Sequence, residues 1–236
     1  MRRFRRPFHK AVARVFASMD PAFLLGAHCF FGGGTQVALL LDEFRESRNI
    51  DLLCSSRDGF RSLRETVSDH SLGRIMHKEI PLAREVRADR DGIRTFFALD
   101  EMRIKFEIVL EARIDLTGSM DRSVGLPSLD LDCIVAEKFM ANADRGLDES
   151  TRSRDLIDLA FLSALRGDEA IEPGLRLAQS AYGKAVSRHL GLVLTKFEDE
   201  KRYGSHCAAS LGIEDLSTLR KGLSRLRALY RRTSKR

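Results

Sequence analysis

Residues 31–54 read FGGGTQVALLLDEFRESRNIDLLC, and this stretch decides the fold that the sequence predicts. The apolar residues 23–31 predict a strand that runs into a glycine turn, and TQVALLLDEF predicts a helix with Thr35 as its cap. NIDLLCSS then predicts a short buried strand. A helix of about ten residues rises roughly 15 Å, so the chain can travel out and return. The second strand is therefore expected to begin beside the glycine turn.

Four further segments extend this αβ pattern along the chain. The apolar spacing of residues 8–19 predicts a helix, and residues 58–70 predict a second one. The Asp-Gly pair at 91–92 lies between alternating segments and predicts a hairpin. MRIKFEIVL at 102–110 predicts a strand.

The chain changes character after a cluster of glycine and proline at 118–127. Almost every later segment predicts helix, including a terminal amphipathic helix from about residue 215. We therefore predict an α/β (α+β) fold, a mixed sheet with flanking helices followed by a helical domain. The predicted domains are 1–125 and 126–236.

The composition is that of an ordinary soluble globular protein. Hydrophobic residues make up 43% of the 236 positions and charged residues 31%, which excludes a disordered chain. No run approaches the roughly 18 apolar residues of a membrane span. The start, MRRFRRPF, lacks the apolar core of a signal peptide, and only its arginines resemble a transit peptide. We predict a cytoplasmic protein without membrane contact.

The cysteines predict no metal or redox centre. Cys29, Cys54, Cys133 and Cys207 are far apart and form no CxxC pattern. Buried free thiols are the simpler interpretation, against a zinc or redox role.

Positive charge is concentrated at the two ends of the chain. The last 17 residues carry eight Lys or Arg and no acid, so the rest of the chain carries −2 of the net +6. The start adds Arg2, Arg3, Arg5 and Arg6. Basic ends can neutralise nucleic-acid phosphates, although a solvated basic tail explains them equally well.

The glycine turn is a candidate phosphate site. Gly33, Gly34 and Thr35 stand where a strand meets a helix, so their backbone N–H groups would point outward at the positive end of the helix dipole. The alternative is a purely structural turn, because glycine-rich strand–helix turns are common.

Two polar residues at the start of the next strand suggest a metal site near that turn. Asn49 and Asp51 alternate along the strand, so both side chains project from one face. Glu107 interrupts the apolar run RIKFEIVL and would add a third oxygen donor, unless it only occupies a polar face. Oxygen ligands of this kind suit Mg²⁺ or Mn²⁺ bound together with substrate phosphates.

These residues resemble the AbiEii nucleotidyltransferase toxins, relatives of the MenT toxins. Gly-Gly-Thr at 33–35 followed by Arg-x-Ser-x-Asn-Ile-Asp at 45–51 is similar to the first family motif. KFEI at 105–108, AEKFM at 136–140 and RDLIDL at 154–159 resemble its later motifs in the same order. The resemblance spans about 25–165 and implies a nucleotidyltransferase-like fold.

The resemblance implies roles for single residues. Gly33, Gly34 and Thr35 would hold the β- and γ-phosphates of a nucleoside triphosphate. Asp51 and Glu107, with Asn49, would hold Mg²⁺. Lys138 would bind the triphosphate or the leaving pyrophosphate. Asp155 would lie near the acceptor hydroxyl or anchor Lys138.

Simpler interpretations of the later motif residues remain open. Lys138 could be a solvated helix residue, and Asp155 and Asp158 could pair with Arg152 or Arg154. Such surface pairs contribute little to stability. Arg45 and Ser47 are interpreted as bracing the turn before the strand.

Asn49 departs from the family pattern, which has Asp there. Its amide oxygen can still approach Mg²⁺, but one negative charge is missing from the site. The resemblance implies transfer of a nucleoside monophosphate to an acceptor, with RNA or tRNA as the acceptor and an antitoxin as protein partner. The alternatives are a module that binds nucleotide or RNA without transfer, and a helical half that serves mainly as a partner-binding surface.

Overall fold

A computed structural model of the chain describes residues 4–234, so the predicted basic positions Arg2, Arg3, Lys235 and Arg236 lie outside the described residues. The strands of this part are β1 (Cys29–Gly32), β2 (Asn49–Cys54), β3 (Leu82–Ala88), β4 (Gly92–Leu99), β5 (Met102–Leu110), β6 (Gly118–Asp121) and β7 (Leu126–Leu129). The helices are α1 (Pro7–Phe16), α2 (Pro21–Gly26), α3 (Gly33–Leu40), α4 (Arg57–Glu65), α5 (Leu131–Arg145), α6 (Arg154–Arg166), α7 (Glu172–Tyr182), α8 (Ala185–Asp199), α9 (Lys201–Ser210) and α10 (Leu216–Thr233). The predicted mixed α/β class is confirmed.

The strands form one mixed sheet in the order β3-β4-β5-β2-β1-β7-β6. β1 runs antiparallel to β2 and parallel to β7, while β2 runs parallel to β5. The pairs β3–β4, β4–β5 and β6–β7 are antiparallel. The parallel β2–β5 pair places two strands that are more than 45 residues apart in the sequence side by side.

The chain divides into two compact units. The sheet unit comprises the chain up to Gln36 together with Glu46–Asp130, and the helical unit comprises Val37–Arg45 and the chain from Leu131 onward. The division into folding domains at 1–125 and 126–236 stays a prediction.

Alternation along the strands builds the core of the sheet unit. In the facing parts of β2 and β5, Ile50, Phe106 and Ile108 are completely buried, while Asn49, Asp51, Lys105 and Glu107 between them are partly exposed. Phe16 of α1 packs edge-to-face on Phe31 of β1, with ring centroids 4.7 Å apart. One face of the central strands is thus apolar, and polar side chains are restricted to the other.

The predicted strand over residues 23–31 is wrong in its first half, because Pro21–Gly26 forms α2. The Asp20 side chain accepts a hydrogen bond from Phe23 N at 2.9 Å, and Pro21 occupies the first helical turn. This Asp-Pro start is a helix signal that outweighs the short apolar run after it.

The hairpin of β6 and β7 was not predicted from the sequence. Each strand has four residues, and Pro127 lies inside the second, opposite Met120. Strands this short carry little periodicity, and proline normally argues against a strand. Of the two strands, β7 also pairs with the distant strand β1, through Phe31 and Ser128.

Two other features bear on the sequence predictions. The four cysteines are buried and free, as predicted. Among the described residues, no helix has both the length and the apolar character needed to cross a membrane.

Gly222 marks the closest approach of α10 to α6. A Cβ at this position would lie 1.9 Å from the carbonyl oxygen of Ala160, a backbone atom that cannot rotate away. Helices therefore pack here backbone to backbone.

Gly222→Ala should lower the free energy of unfolding by about 1 kcal/mol, because overpacking costs about 2 kcal/mol and the gain in helix propensity is only about 1 kcal/mol. Urea denaturation measures the change, with the exposed Ser224→Ala in the same helix as control. A variant more stable than the wild type would contradict the close packing.

Candidate functional site

Gly33 joins β1 to α3 in a conformation that favours glycine. Its φ is +69°, in the left-handed region, and a Cβ here would lie 2.5 Å from Asp51 Oδ2. The Asp51 carboxylate therefore packs directly on the backbone of the glycine turn. The predicted return of the chain to this turn is observed, since Gly32 pairs with Asp51 in the β1–β2 ladder.

The prediction that Thr35 caps α3 is wrong. The helix begins at Gly33, and Thr35 lies inside it. Its completely buried hydroxyl donates to the carbonyl oxygen of Asn49 and is hydrogen-bonded to Ser47 Oγ at 2.8 Å. The hydroxyl thus fastens the start of the helix to the start of β2. The Thr35 hydroxyl is therefore engaged within the sheet unit rather than directed at a ligand.

Ser47 is held a second time by a residue that sequence reasoning missed. Its backbone N–H donates to Nε2 of His9, a completely buried residue of α1, at 3.2 Å. The predicted bracing role of Ser47 agrees with these contacts. A lone histidine in an amphipathic helix gave no signal that it would reach this loop.

The polar face of the sheet unit collects the predicted oxygen donors. In the parallel β2–β5 ladder Asn49 pairs with Lys105 and Asp51 pairs with Glu107. Paired residues of neighbouring strands project from the same face, about 4.8 Å apart. Asn49, Asp51 and Glu107 therefore share one surface beside the glycine turn.

Glu107 is already bound by two cations. Arg94 Nε lies 2.6 Å from its Oε1, and Lys105 Nζ lies 2.6 Å from its Oε2. Burial acts to raise the pKa of the Glu107 carboxyl, but the hydrogen bonds and charges of Lys105 and Arg94 outweigh it, so that pKa lies below its usual value. Sequence spacing could have identified Lys105, which lies two residues before Glu107 on the same face of β5, whereas Arg94 faces Glu107 only through the β4–β5 register.

The donor set fits a divalent ion only in part. Among the described residues no group of three or more His, Cys, Asp or Glu is placed to hold a metal. Asp51 and the Asn49 amide remain beside Gly33, while both Glu107 oxygens are in ion pairs. Such a set suits Mg²⁺ that brings phosphate ligands with it, rather than a complete protein cage.

The helical unit contains a buried charge network around Lys138. Its ammonium group lies 2.9 Å from Asp155 Oδ1 and 2.8 Å from Asp158 Oδ2. All three side chains are at most 5% exposed. Lys138 is therefore buried rather than solvated, and the two acids pair with it rather than lying on the surface.

Two arginines complete this network. Arg45 makes a bidentate contact with Asp158, with Nε–Oδ1 at 2.6 Å and Nη2–Oδ2 at 2.8 Å. Arg145, partly exposed, contacts Asp155 through Nε at 2.8 Å. Each of the two carboxylates is thus in contact with Lys138 and with one arginine.

The loop before β2 brings Arg45 to Asp158. Asp42 and Glu43 both have positive φ, near +60°, which turns the chain sharply after α3. The next residue, Phe44, stacks on Phe161 of α6 with ring centroids 4.1 Å apart. Sequence reasoning assigned Arg45 only to bracing the turn and did not find this partner.

Burial and ion pairing act in opposite directions in the network. Burial acts to lower the pKa of the Lys138 ammonium, but Asp155 and Asp158 outweigh it and raise that pKa. Burial acts to raise the pKa of the Asp155 carboxyl, but Lys138 and Arg145 outweigh it and hold that pKa well below its usual value. Both groups therefore remain charged at neutral pH.

The sequence-predicted site residues thus fall into two groups. Gly33, Gly34, Thr35, Asn49, Asp51 and Glu107 belong to the sheet unit, and Lys138 and Asp155 belong to the helical unit. Within each group the predicted residues lie together. Their union in one site stays a prediction.

Gly33→Ala should lower the free energy of unfolding by about 1–2 kcal/mol, because alanine is strained at positive φ and its Cβ would displace the Asp51 carboxylate. Urea denaturation measures the loss. Gly26→Ala is the matched control, since a Cβ there would meet nothing within 4 Å. Equal stabilities of the two variants would contradict the packing of Asp51 on Gly33.

The lowered pKa of Asp155 makes stability depend on pH. Its contribution is fully present above the pKa of the unfolded chain, about 3.9, and is lost as pH falls toward the folded value. Asp155→Asn should therefore be less stable than the wild type at pH 7, by about 3 kcal/mol. The difference should shrink below about pH 4.

Urea denaturation at a series of pH values tests this expectation. Exposed Glu169→Gln serves as the control and should follow the wild type throughout. A constant difference between Asp155→Asn and the wild type from pH 7 down to pH 2 would exclude the proposed ionisation.

Comparison with known proteins identifies a family whose model matches most of the chain. Residues 14–231 match the model of a family described as nucleotidyl transferase AbiEii toxin, type IV toxin–antitoxin system. A search of curated proteins found no match.

Two solved structures from one organism share the fold, and a third structure matches part of the chain. A putative nucleotidyltransferase from Helicobacter pylori is 16% identical, with a TM-score of 0.54 over 97% of this chain and 95% of that one. JHP933 from the same organism is 13% identical, with a TM-score of 0.50 over 99% and 96%. MenT4, a nucleotidyltransferase toxin from Mycobacterium tuberculosis, is 18% identical, with a TM-score of 0.46 over 74% and 64%.

Proposed function

The chain belongs to the AbiEii nucleotidyltransferase toxin family of type IV toxin–antitoxin systems, and on this premise we propose that it transfers a nucleoside monophosphate from a triphosphate to an acceptor hydroxyl. The acceptor oxygen forms a bond to the α-phosphorus, the bond to the β-phosphate oxygen breaks, and pyrophosphate leaves. The hydroxyl proton is released to solvent.

The packing of Asp51 on Gly33 is the observation that carries this proposal. It puts a carboxylate against a turn of backbone amides, with Asn49 and Glu107 on the same polar face. Amides at a helix start can hold phosphate oxygens, and an adjacent carboxylate can hold the divalent ion that accompanies them. The arrangement suits a triphosphate better than an uncharged substrate.

Each predicted residue has a role in the proposed site. The backbone N–H groups of Gly33, Gly34 and Thr35 orient the β- and γ-phosphates. Asp51 and the Asn49 oxygen would hold Mg²⁺ or Mn²⁺, with Glu107 as a third oxygen donor. A bound divalent ion would supply charge neutralisation of the phosphates.

The helical unit would supply a second positive charge. Lys138 neutralises charge on the triphosphate or on pyrophosphate, and Asp155 anchors its ammonium group. Pre-arranged charge of this kind provides most of the rate in phosphoryl transfer, because it needs no reorganisation during the reaction. The proposed role requires Lys138 to exchange one of its carboxylate partners for phosphate.

Asn49 supports a second candidate function. With an amide in place of a carboxylate, the polar face has only two acids, and Glu107 is neutralised by its partners. A protein with this site could bind a triphosphate and fail to turn it over. The alternative is therefore a nucleotide- or RNA-binding module without transfer.

RNA, including tRNA, is the acceptor that we propose, and such substrates would place the protein in the cytoplasm. Only some of the basic side chains of α10 are available to support binding of a polyanion. Arg225, Arg227 and Arg232 are occupied by a carbonyl oxygen or by acids, whereas Arg220, Lys221 and Arg231 are exposed. An antitoxin protein is the further partner that the family implies.

Incorporation of label from each of the four NTPs into total RNA tests the transfer, with Mg²⁺ or Mn²⁺ present. We expect weak incorporation by the wild type and none by Asp51→Ala or Lys138→Ala. Asn49→Asp should raise the rate about tenfold or more, because it restores a metal-binding charge. Exposed Lys78→Ala serves as the control, and circular dichroism verifies folding of each variant.

Two outcomes decide between the candidates. Binding of NTP without transfer by the wild type, together with transfer by Asn49→Asp, would establish the binding module. Absence of NTP binding with either metal ion present would exclude both functions.

A further inference from the structure

Lys105 is the residue of the polar face that sequence reasoning did not assign. It lies on β5 opposite Asn49, two residues before Glu107, and its ammonium group contacts Glu107 Oε2 at 2.6 Å. Its side chain is 38% exposed, so water and ligands can reach it. Glu107 lies opposite Asp51 in the β2–β5 ladder, and Asp51 is the residue that packs on Gly33. Lys105 is therefore two side chains away from the glycine turn.

The Glu107 carboxylate is paired with cations before any ligand binds. Lys105 and Arg94 both contact it, and Arg94 also contacts Asp89. A triphosphate carries several negative charges and needs cations that can turn toward it. A face with two free carboxylates would repel it unless metal ions came first.

Lys105 is better suited than Arg94 to meet the incoming phosphates. Arg94 is fixed by two acids, Glu107 at 2.6 Å and Asp89 at 3.0 Å. Among residues 4–234, the ion-pair partner of Lys105 is Glu107, and its ammonium group sits on a flexible four-carbon chain with three donors. It can leave Glu107 without breaking a second ion pair.

We propose that Lys105 is a phosphate ligand for the nucleotide, held by Glu107 until the nucleotide binds. On binding, its ammonium group exchanges the Glu107 carboxylate for a phosphate oxygen. The exchange releases Glu107 Oε2 toward the divalent ion that accompanies the nucleotide. This inference rests on the nucleotide site of the proposed function and adds to it a cation and an order of events.

The exchange predicts opposite effects of two substitutions in the absence of metal. Lys105→Met should weaken nucleotide binding about tenfold, because a charge-assisted hydrogen bond is lost. Glu107→Gln should strengthen it several-fold, because Lys105 no longer has an ionised partner. Addition of Mg²⁺ should raise the nucleotide affinity of Glu107→Gln less than it raises that of the wild type, since one metal ligand is missing from the variant.

Fluorescence anisotropy with the four ribose-labelled NTPs provides the measurement, in EDTA and again in Mg²⁺. Lys78→Met is the matched control, since Lys78 is an exposed lysine of the same unit. Lys105→Arg retains the charge and should keep most of the affinity. Thermal denaturation verifies that each variant is folded.

The double variant Lys105→Met/Glu107→Gln separates the exchange from a general change in charge. If Glu107 only repels the nucleotide, its removal helps equally with and without Lys105. If Glu107 holds Lys105, most of the gain from Glu107→Gln disappears in the double variant.

Several results would overturn the inference while leaving the proposed function intact. These are unchanged affinity of Lys105→Met, no gain in metal-free affinity from Glu107→Gln, and a full gain in the double variant. Failure of the wild type to bind any NTP, with or without Mg²⁺, would instead overturn the proposed function itself.

Discussion

The parallel pairing of β2 with β5 is the constraint on which the polar face depends. It sets Asp51 beside Glu107 and Asn49 beside Lys105, although these residues are more than 50 positions apart in the chain. A shift of one residue in this register would turn the polar side chains into the core and the buried Ile50 and Phe106 outward. The burial of those apolar residues therefore fixes the geometry of the polar ones. The function proposed for this face therefore depends on hydrophobic packing on the opposite face.

The turn at Gly33 depends on the same strands. Asp51 can pack on it because β1 and β2 are antiparallel neighbours, with Gly32 opposite Asp51. The Thr35 hydroxyl then links the first turn of α3 to Asn49, so a hydrogen bond joins the glycine turn to the strand that carries the donors. This hydrogen bond also satisfies the buried Thr35 hydroxyl, because a buried hydroxyl without a partner would lower stability. Thr35 thus links α3 to β2 and does not serve as the expected helix cap.

The network around Lys138 follows different physics. Charges removed from water gain stability only when they are fully paired, and a single missing partner leaves an uncompensated buried ion. Arg45, Lys138, Asp155 and Asp158 satisfy one another within the helical unit. The Arg-Asp-x-x-Asp pattern of α6 placed both acids on the buried side of one helix, as spacing by three predicts. It gave no sign that Arg45, more than 110 residues earlier, binds the second acid.

Local signals in the sequence determined the elements and the candidate donors: glycines before an apolar helix, alternation in NIDLLC and MRIKFEIVL, and an Asp-Gly hairpin turn. They sufficed for the mixed α/β class, for the return of the chain to Gly33 and for the neighbouring strand that carries Glu107. Only the tertiary structure decided which cations face those donors. Arg94 reaches Glu107 across the β4–β5 pair, Arg45 reaches Asp158 over 113 positions, and β7 pairs with β1 over a similar separation. Periodicity records how a residue relates to its own element, whereas the partner of a charged side chain is set by the packing of one element against another.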